Sequence, residues 1–233
     1  MLDDSRTVAL IGKEAAARLR ASAVAVFGIG GVGSFAAEAL ARAGVGTLYL
    51  IDNDVVKPSN CNRQLVALSS TIGRKKVDVM AERARDINPN VNVVACDCFY
   101  DETTAGELFA PGFDFVIDAI DSLKSKENLI LNCAEREIEI ISSMGAGNKL
   151  HPERFAIMDI FQTTCDPIAK ILRKRLREAG IGKLKVVCSD ELPHKVMVSE
   201  DGKNVPASIS FVPSVCGLLM AGEAIRQLAG VGE

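Results

Sequence analysis

Ala23-Val-Ala-Val-Phe27-Gly28-Ile-Gly30-Gly31-Val-Gly33 decides the fold. A short β-prone apolar run meets glycines, and apolar residues then recur at helical spacing (Val32, Phe35, Ala36, Ala39, Leu40) until Gly44 stops them. A strand, a glycine turn and a helix in that order offer free N–H groups and a positive dipole end to an anion. Gly28 allows the tight turn, Gly30 lets backbone approach a phosphate, and Gly33 permits helix–strand contact. Gly31 lies inside the same turn. The motif alone does not say which nucleotide.

Outward from this unit, apolar runs alternate with helical patterns. Strands are expected at Thr47–Ile51, Val91–Ala95, Phe113–Ile117 and Ile138–Ile141, and helices at Gly31–Ala43, Arg74–Ile87 and Leu123–Arg136. That alternation predicts an α/β fold, a Rossmann-like doubly wound sheet with mostly parallel strands buried on both faces. After Gly145 the pattern changes. A strand over Arg154–Phe161, a basic helix over Pro167–Ala179, a strand over Leu184–Val187, a polar loop over 190–206 and an apolar helix over Val215–Leu228 form an appended C-terminal lobe. The expected division is an N-terminal helix and arm (1–21), a nucleotide-binding core (22–150) and the lobe (151–233), in one continuous domain.

Composition excludes several classes. With 48% hydrophobic and 24% charged residues in 233, the chain can bury a sizeable core. No Trp, two Tyr and nine Phe leave few rings for base stacking, and a net charge of −3 argues against coating nucleic acid by global charge. Seven scattered cysteines, with no Cys-x-x-Cys pair and no signal-like start, suggest free thiols in a reducing cytoplasm. The longest uncharged run, 205–222, holds Pro206 and Pro213, so no membrane span is expected.

Asp52 ends the second strand nineteen residues after Gly33, where a carboxylate can bond a ribose hydroxyl pair. Those two features alone would favour a nicotinamide dinucleotide. The residues downstream of Asp52 break that reading. Arg63 in Asn60-Cys-Asn62-Arg63-Gln64, and Lys76 at the start of the next helix, carry the charge a triphosphate needs. Asp118-Ala-Ile-Asp121 closes the fourth strand, and an aspartate there facing the same crevice suits Mg²⁺.

This set resembles the adenylating superfamily of ThiF, MoeB, HesA and ubiquitin-activating enzymes, over roughly residues 22–145. The resemblance implies ATP along Gly28–Gly33 with Asp52 on the ribose, and Asn60, Arg63, Gln64 and Lys76 on phosphates. It implies Mg²⁺ on Asp121, and a carboxylate activated by attack on the α-phosphate. Ser5-Arg6-Thr7 with Leu10-Ile11-Gly12, Ser143-Met-Gly-Ala-Gly147, Asp166-Pro167-Ile-Ala-Lys170 and Ser208-Ile-Ser-Phe-Val-Pro-Ser214 are similar to the branch that dehydrates threonylcarbamoyladenosine in tRNA. That branch implies a homodimer in which Arg6 reaches the neighbouring subunit's phosphates, and leaves room for a sulfur-relay protein partner.

A local basic patch suits a tRNA substrate. Lys170, Arg173, Lys174 and Arg177 share one face of the expected helix by the i, i+3, i+4, i+7 rule. A solvated basic face is the plainer reading of that stripe. Rival functions are an activator of a ubiquitin-like or sulfur-carrier C-terminus, a nucleotide-binding scaffold, and a dinucleotide-dependent oxidoreductase. The last leaves Arg63, Lys76 and Asp121 without work. Cys165 and Cys188 lie where a catalytic thiol could be sought, yet ring closure within the substrate needs none. His151 and His194 read as loop residues.

Overall fold

All five strands expected in the core lie in one sheet. The computed structural model describes residues 2–200 and 202–232. Helices α1 (Ser5–Ile11) and α2 (Lys13–Ala21) lead into β1 (Ala23–Phe27), α3 (Gly33–Ala43) and β2 (Thr47–Ile51). Next come α4 (Lys76–Ile87), β3 (Asn92–Cys96), α5 (Ala105–Phe109), β4 (Phe115–Asp118), α6 (Leu123–Glu135) and β5 (Glu139–Ser143). Beyond them lie β6 (Phe155–Asp159), α7 (Pro167–Glu178), β7 (Lys185–Ser189), β8 (Met197–Glu200), β9 (Lys203–Pro206) and α8 (Phe211–Ala229).

The sheet order is β3-β2-β1-β4-β5-β7-β6, parallel throughout except for β6 against β7. Chain order reverses direction between β1 and β4, and a doubly wound sheet opens its crevice at such a switch point, beyond the carboxyl ends of the strands. Register fixes which residues meet there. Phe27 pairs with Ile51 on one side and with Asp118 on the other, so Gly28, Asp52 and Ala119 leave the sheet at one level.

Alternation along β1 divides the core. Val24 and Val26 face the side covered by α3 and α8, packing with Leu40 and Met220. Ala25 and Phe27 face an aromatic cluster of Tyr100, Phe109 and Phe113, where Phe27 meets Tyr100 edge-on at 4.9 Å between centroids. Burying a side chain such as Leu40 contributes about 1.5–3 kcal/mol. Gly217 lets α8 approach α3 closely, since a Cβ there would lie 2.2 Å from the Val32 carbonyl oxygen. Arg18 then pins the helix end by donating from Nε to the Ala229 carbonyl at 3.0 Å.

Several boundaries differ from expectation for local reasons. The span 190–206 is not all loop, because β8 and β9 pair as an antiparallel hairpin. Gly202 takes φ +76°, a backbone conformation that glycine adopts readily in a tight hairpin turn. Asn148 braces the hairpin, accepting from Ala207 N and donating to Val196 O, both at 2.8 Å. Helix α8 starts four residues sooner than expected, because Pro213 falls in its first turn, where a missing N–H costs nothing. Helix α3 starts at Gly33, and α4 at Lys76, since Lys75 bridges to Val55 instead. Strand β6 stops at Asp159, and Ile160–Gln162 make a 3₁₀ turn. Among the described residues no helix is long and apolar enough to cross a membrane.

Candidate active site

The glycine turn is shaped by its neighbours at three positions and left open at the fourth. Gly28 takes φ +88°, and a Cβ there would lie 2.6 Å from the Ala119 carbonyl oxygen. At Gly33 it would lie 1.8 Å from the Gly28 carbonyl oxygen. At Gly31 it would press on Pro213 of α8 at 3.2 Å. Gly30 differs: the nearest atom to its Cβ position is Gln64 Nε2, at 3.8 Å. No protein atom accounts for a glycine at 30, whereas a phosphate group seated on the turn does.

Asp52 lies beside this turn. Its Oδ2 accepts from Ile29 N at 2.6 Å and its Oδ1 from Asp54 N at 2.8 Å. Burial pushes its carboxyl above the ordinary range, with the Lys76 charge and the two N–H donors pulling back. Lys76 opens α4 with its side chain only 6% exposed and Nζ 2.7 Å from Asp54 Oδ2. Arg63 Nη1 donates to the Ser59 carbonyl at 3.0 Å and to Asn62 Oδ1 at 2.9 Å. Asn62 in turn donates to Ser208 O at 3.0 Å, bringing the segment before α8 against this wall.

Gln64 gives the clearest sign of a missing ligand. It is buried, and its Oε1 has no hydrogen-bond partner among the described residues, a state that costs about 1–3 kcal/mol unless something donates to it. The open Gly30 position and the unsatisfied Gln64 fit a nucleotide with its sugar and phosphates along the turn. Asn60 opens the stretch that carries Arg63 and Gln64. Its Oδ1 accepts from Lys57 N at 3.0 Å, so the carboxamide closes its own 3₁₀ turn (Pro58–Asn60) and shapes the loop that carries Arg63.

Asp121 lies exposed just beyond β4, with no partner among the described residues. Among those residues no group of three His, Cys, Asp or Glu could hold a metal by itself. A Mg²⁺ here would share Asp121 with phosphate oxygens and waters, as this ion commonly does. The first aspartate of the pair has another task. Asp118 is fully buried against Lys126 and Ser142, a cluster that no sequence pattern singles out. Arg6 lies exposed on α1, also without a partner among the described residues, and no residue of α1 is buried.

The basic stripe on α7 is narrower than expected. Arg173 Nη1 donates to Thr163 O at 2.8 Å, and the Arg177 guanidinium lies 5.0 Å from the Phe161 ring centroid. Lys170 and Lys174 face solvent, Lys174 within 3.9 Å of Glu178. Cys188 is buried and burial pushes its thiol up to about 11, so it stays protonated and poorly nucleophilic. All seven cysteines are free. His151 and His194 are exposed and sit beside Glu153 and Glu191.

A switch-point crevice with an open phosphate turn, a carboxylate beside it and a buried lysine defines a nucleotide-binding α/β protein, and the chain belongs to the ThiF family, matched over residues 3–233. Within it, the chain is 48% identical to the tRNA threonylcarbamoyladenosine dehydratase of Bacillus subtilis, over 96% of this chain and 93% of that protein. The crystal structure of the E. coli tRNA N6-threonylcarbamoyladenosine dehydratase in complex with ATP superposes with a TM-score of 0.90 at 35% identity, covering 97% of this chain and 93% of that one. The E. coli molybdopterin-synthase adenylyltransferase is 29% identical, over 95% of this chain and 78% of that protein.

Proposed function

We propose that this protein is an ATP-dependent dehydratase of threonylcarbamoyladenosine in tRNA. The observation that carries the reading is the gap in identity at nearly equal coverage of this chain, 48% to the dehydratase over 96% against 29% to the molybdopterin-synthase adenylyltransferase over 95%. The open turn at Gly30 and the unsatisfied Gln64 Oε1 support a bound nucleotide.

The chemistry runs in two steps. An oxygen of the threonyl carboxylate attacks the α-phosphorus of ATP, the bond to the β-phosphate oxygen breaks, and pyrophosphate leaves. A nitrogen or oxygen of the same modified nucleoside then attacks the acyl carbon and gives up a proton. The acyl–oxygen bond breaks, AMP leaves, and a ring closes. The elements of one water end up divided between AMP and pyrophosphate, so no cysteine is needed.

In this reading Gly28, Gly30, Gly31 and Gly33 seat the phosphates, and Asp52 accepts from the ribose hydroxyls. Gln64 donates to phosphate through Nε2 while its Oε1 accepts from a ribose hydroxyl, and Arg63 and Lys76 neutralise the developing charge. Asn60 shapes the loop of Arg63 through Oδ1 and donates to phosphate through Nδ2. Asp121 would hold Mg²⁺, which when bound would supply charge neutralisation on the phosphates. Arg6 comes from a second copy of the chain in a homodimer. Lys170 and Lys174, with Arg177 beside them, contact tRNA phosphates, and the reaction belongs to the cytoplasm, where free thiols persist.

The test is ATP–pyrophosphate exchange with three candidate substrates in turn. Threonylcarbamoyladenosine-modified tRNA should support exchange, while unmodified tRNA and a carrier protein ending in Gly-Gly should not. Exchange with the carrier protein alone would move the chain to the activator class.

A further inference from the structure

Beneath the turn that carries Asp121 lies a buried ionic cluster that the proposed chemistry does not use. Lys126 Nζ is 2.8 Å from Asp118 Oδ2 and 3.2 Å from Ser142 Oγ, and Ser142 donates to the same carboxylate oxygen at 2.6 Å. The side chains of Asp118 and Lys126 are at most 2% exposed. Apolar residues of like volume would hold a core as well or better, so stability alone does not explain such a pair.

The cluster acts on backbone. Asp118 Oδ1 accepts from Ile120 N at 3.1 Å, and the Asp118 carbonyl accepts from Ser143 Oγ at 3.2 Å. Ala119 N donates to Phe27 O at 2.8 Å, and the Ala119 carbonyl faces Gly28, the position where a Cβ would collide with it. Lys126 N closes the first turn of α6 on Ser122 O at 2.9 Å. The Ala119–Ile120 and Ser122–Leu123 peptides, one on each side of Asp121, are therefore bonded to the two residues of the ion pair, to the Asp118 carboxylate and to the Lys126 main chain, while the Asp121 side chain is held by nothing else among the described residues.

We propose that Lys126, through Asp118, is a positioning residue that fixes where Asp121 stands relative to the glycine turn. The inference rests on the adenylating reading of the site. Without the ammonium, the buried Asp118 carboxylate must take up a proton or turn towards the crevice, and either change alters the bond it accepts from the Ile120 N–H.

A double-mutant cycle tests this, with melting temperature, ATP dissociation constant and exchange kcat measured for each variant. Lys126→Met should lower kcat at least about 10-fold, part of what one electrostatic stabiliser contributes. The ATP dissociation constant should move less than about 3-fold, below the scale of one lost charged hydrogen bond. In an Asp121→Asn background the same change should add less than about 2-fold, because residues that act through one group are not additive. If Lys126→Met does not fold, Asp118→Asn with Lys126→Met removes both charges at near-constant volume and takes its place in the cycle. Losses that multiply with Asp121→Asn, or a folded variant with undiminished kcat, would overturn the proposal. Absence of exchange in the unaltered protein would instead remove the adenylating reading itself.

Discussion

Lys76 Nζ and Asp54 Oδ2 lie 2.7 Å apart, yet the lysine side chain is 6% exposed and the carboxylate 60%. The ammonium is thus anchored in the wall while its partner stands in solvent, so the partner is the one a triphosphate can displace. Lys76→Met should weaken ATP binding about 10- to 100-fold, the scale of one lost charged hydrogen bond. Asp54→Asn should leave affinity equal or tighter, since it releases the ammonium. Titration calorimetry of both variants checks the pair, and a loss at Asp54 as large as at Lys76 would reverse the assignment.

The glycines separate folding from binding. Gly33→Ala places a methyl 1.8 Å from the Gly28 carbonyl oxygen, and two packed backbones cannot both yield, so this variant should unfold or melt far lower. Gly30→Ala meets nothing closer than 3.8 Å and should melt within a few degrees of the native protein. Its methyl nevertheless stands where phosphate is proposed, and ATP binding should fall at least about 10-fold if even one charged hydrogen bond is lost. Normal ATP binding by Gly30→Ala would count against the cradle.

Asp52 gives a pH signature. Burial raises its pKa in the folded state, so this group stabilises the fold below the unfolded carboxylate value, near 3.9. That contribution is lost as pH rises through the folded value. Asp52→Asn cannot titrate. Whatever its offset from the mismatched amide, its melting temperature minus that of the native protein should climb over the interval from the unfolded value, near 3.9, up through the raised folded value, and level off above. A difference that stays flat or declines across that interval would contradict the shift.

On α7 the structure selects which basic residues to reverse. Arg173 is bonded to Thr163, so changing it disturbs the lobe as well as any surface charge. Lys170→Glu with Lys174→Glu should leave the melting temperature within a few degrees and ATP binding unchanged. The slope of log tRNA affinity against log salt should lose about two, one for each lost phosphate contact. An unchanged slope would return α7 to a plain solvated face.

How much of the molecule is legible in its sequence depends on how local each signal is. β1 and β2 match residue for residue because short β-prone runs stop at glycine or aspartate. The glycine turn and Asp52 are legible because their spacing is a backbone requirement. The β8–β9 hairpin escapes a pattern reading because its exposed residues lack a buried face to set a period of two. Lys126 reads as one more polar position on a helix. Its role appears only when parallel pairing sets Asp118 beside Ser142, a register no local pattern encodes. Asn60 is legible by residue type and spacing, whereas the bond its Oδ1 accepts from Lys57 N within its own loop is not.

Arg6 gives the most exposed prediction. It stands on a helix with no buried residue, and the neighbouring Leu10 is 86% exposed, as suits an arm that finishes its contacts on another copy of the chain. In a two-fold dimer each Arg6 would enter its partner's site, making two equivalent composite sites. An arginine offered this way contributes about 10³–10⁵ in rate to phosphoryl transfer, an upper guide for adenylation. Arg6→Ala should therefore be nearly inactive, as should Asp121→Ala, which loses about 10²-fold or more. Mixing the two inactive proteins separates the arrangements. With Arg6 acting across the dimer, a mixed dimer gathers both lesions into one site and leaves the other intact. Random re-pairing makes about half the dimers mixed, so about a quarter of all sites should recover. With Arg6 acting in its own subunit, every site carries a lesion and nothing recovers. Continued inactivity after subunit exchange, verified by mass spectrometry of differently tagged copies, would reject the composite site.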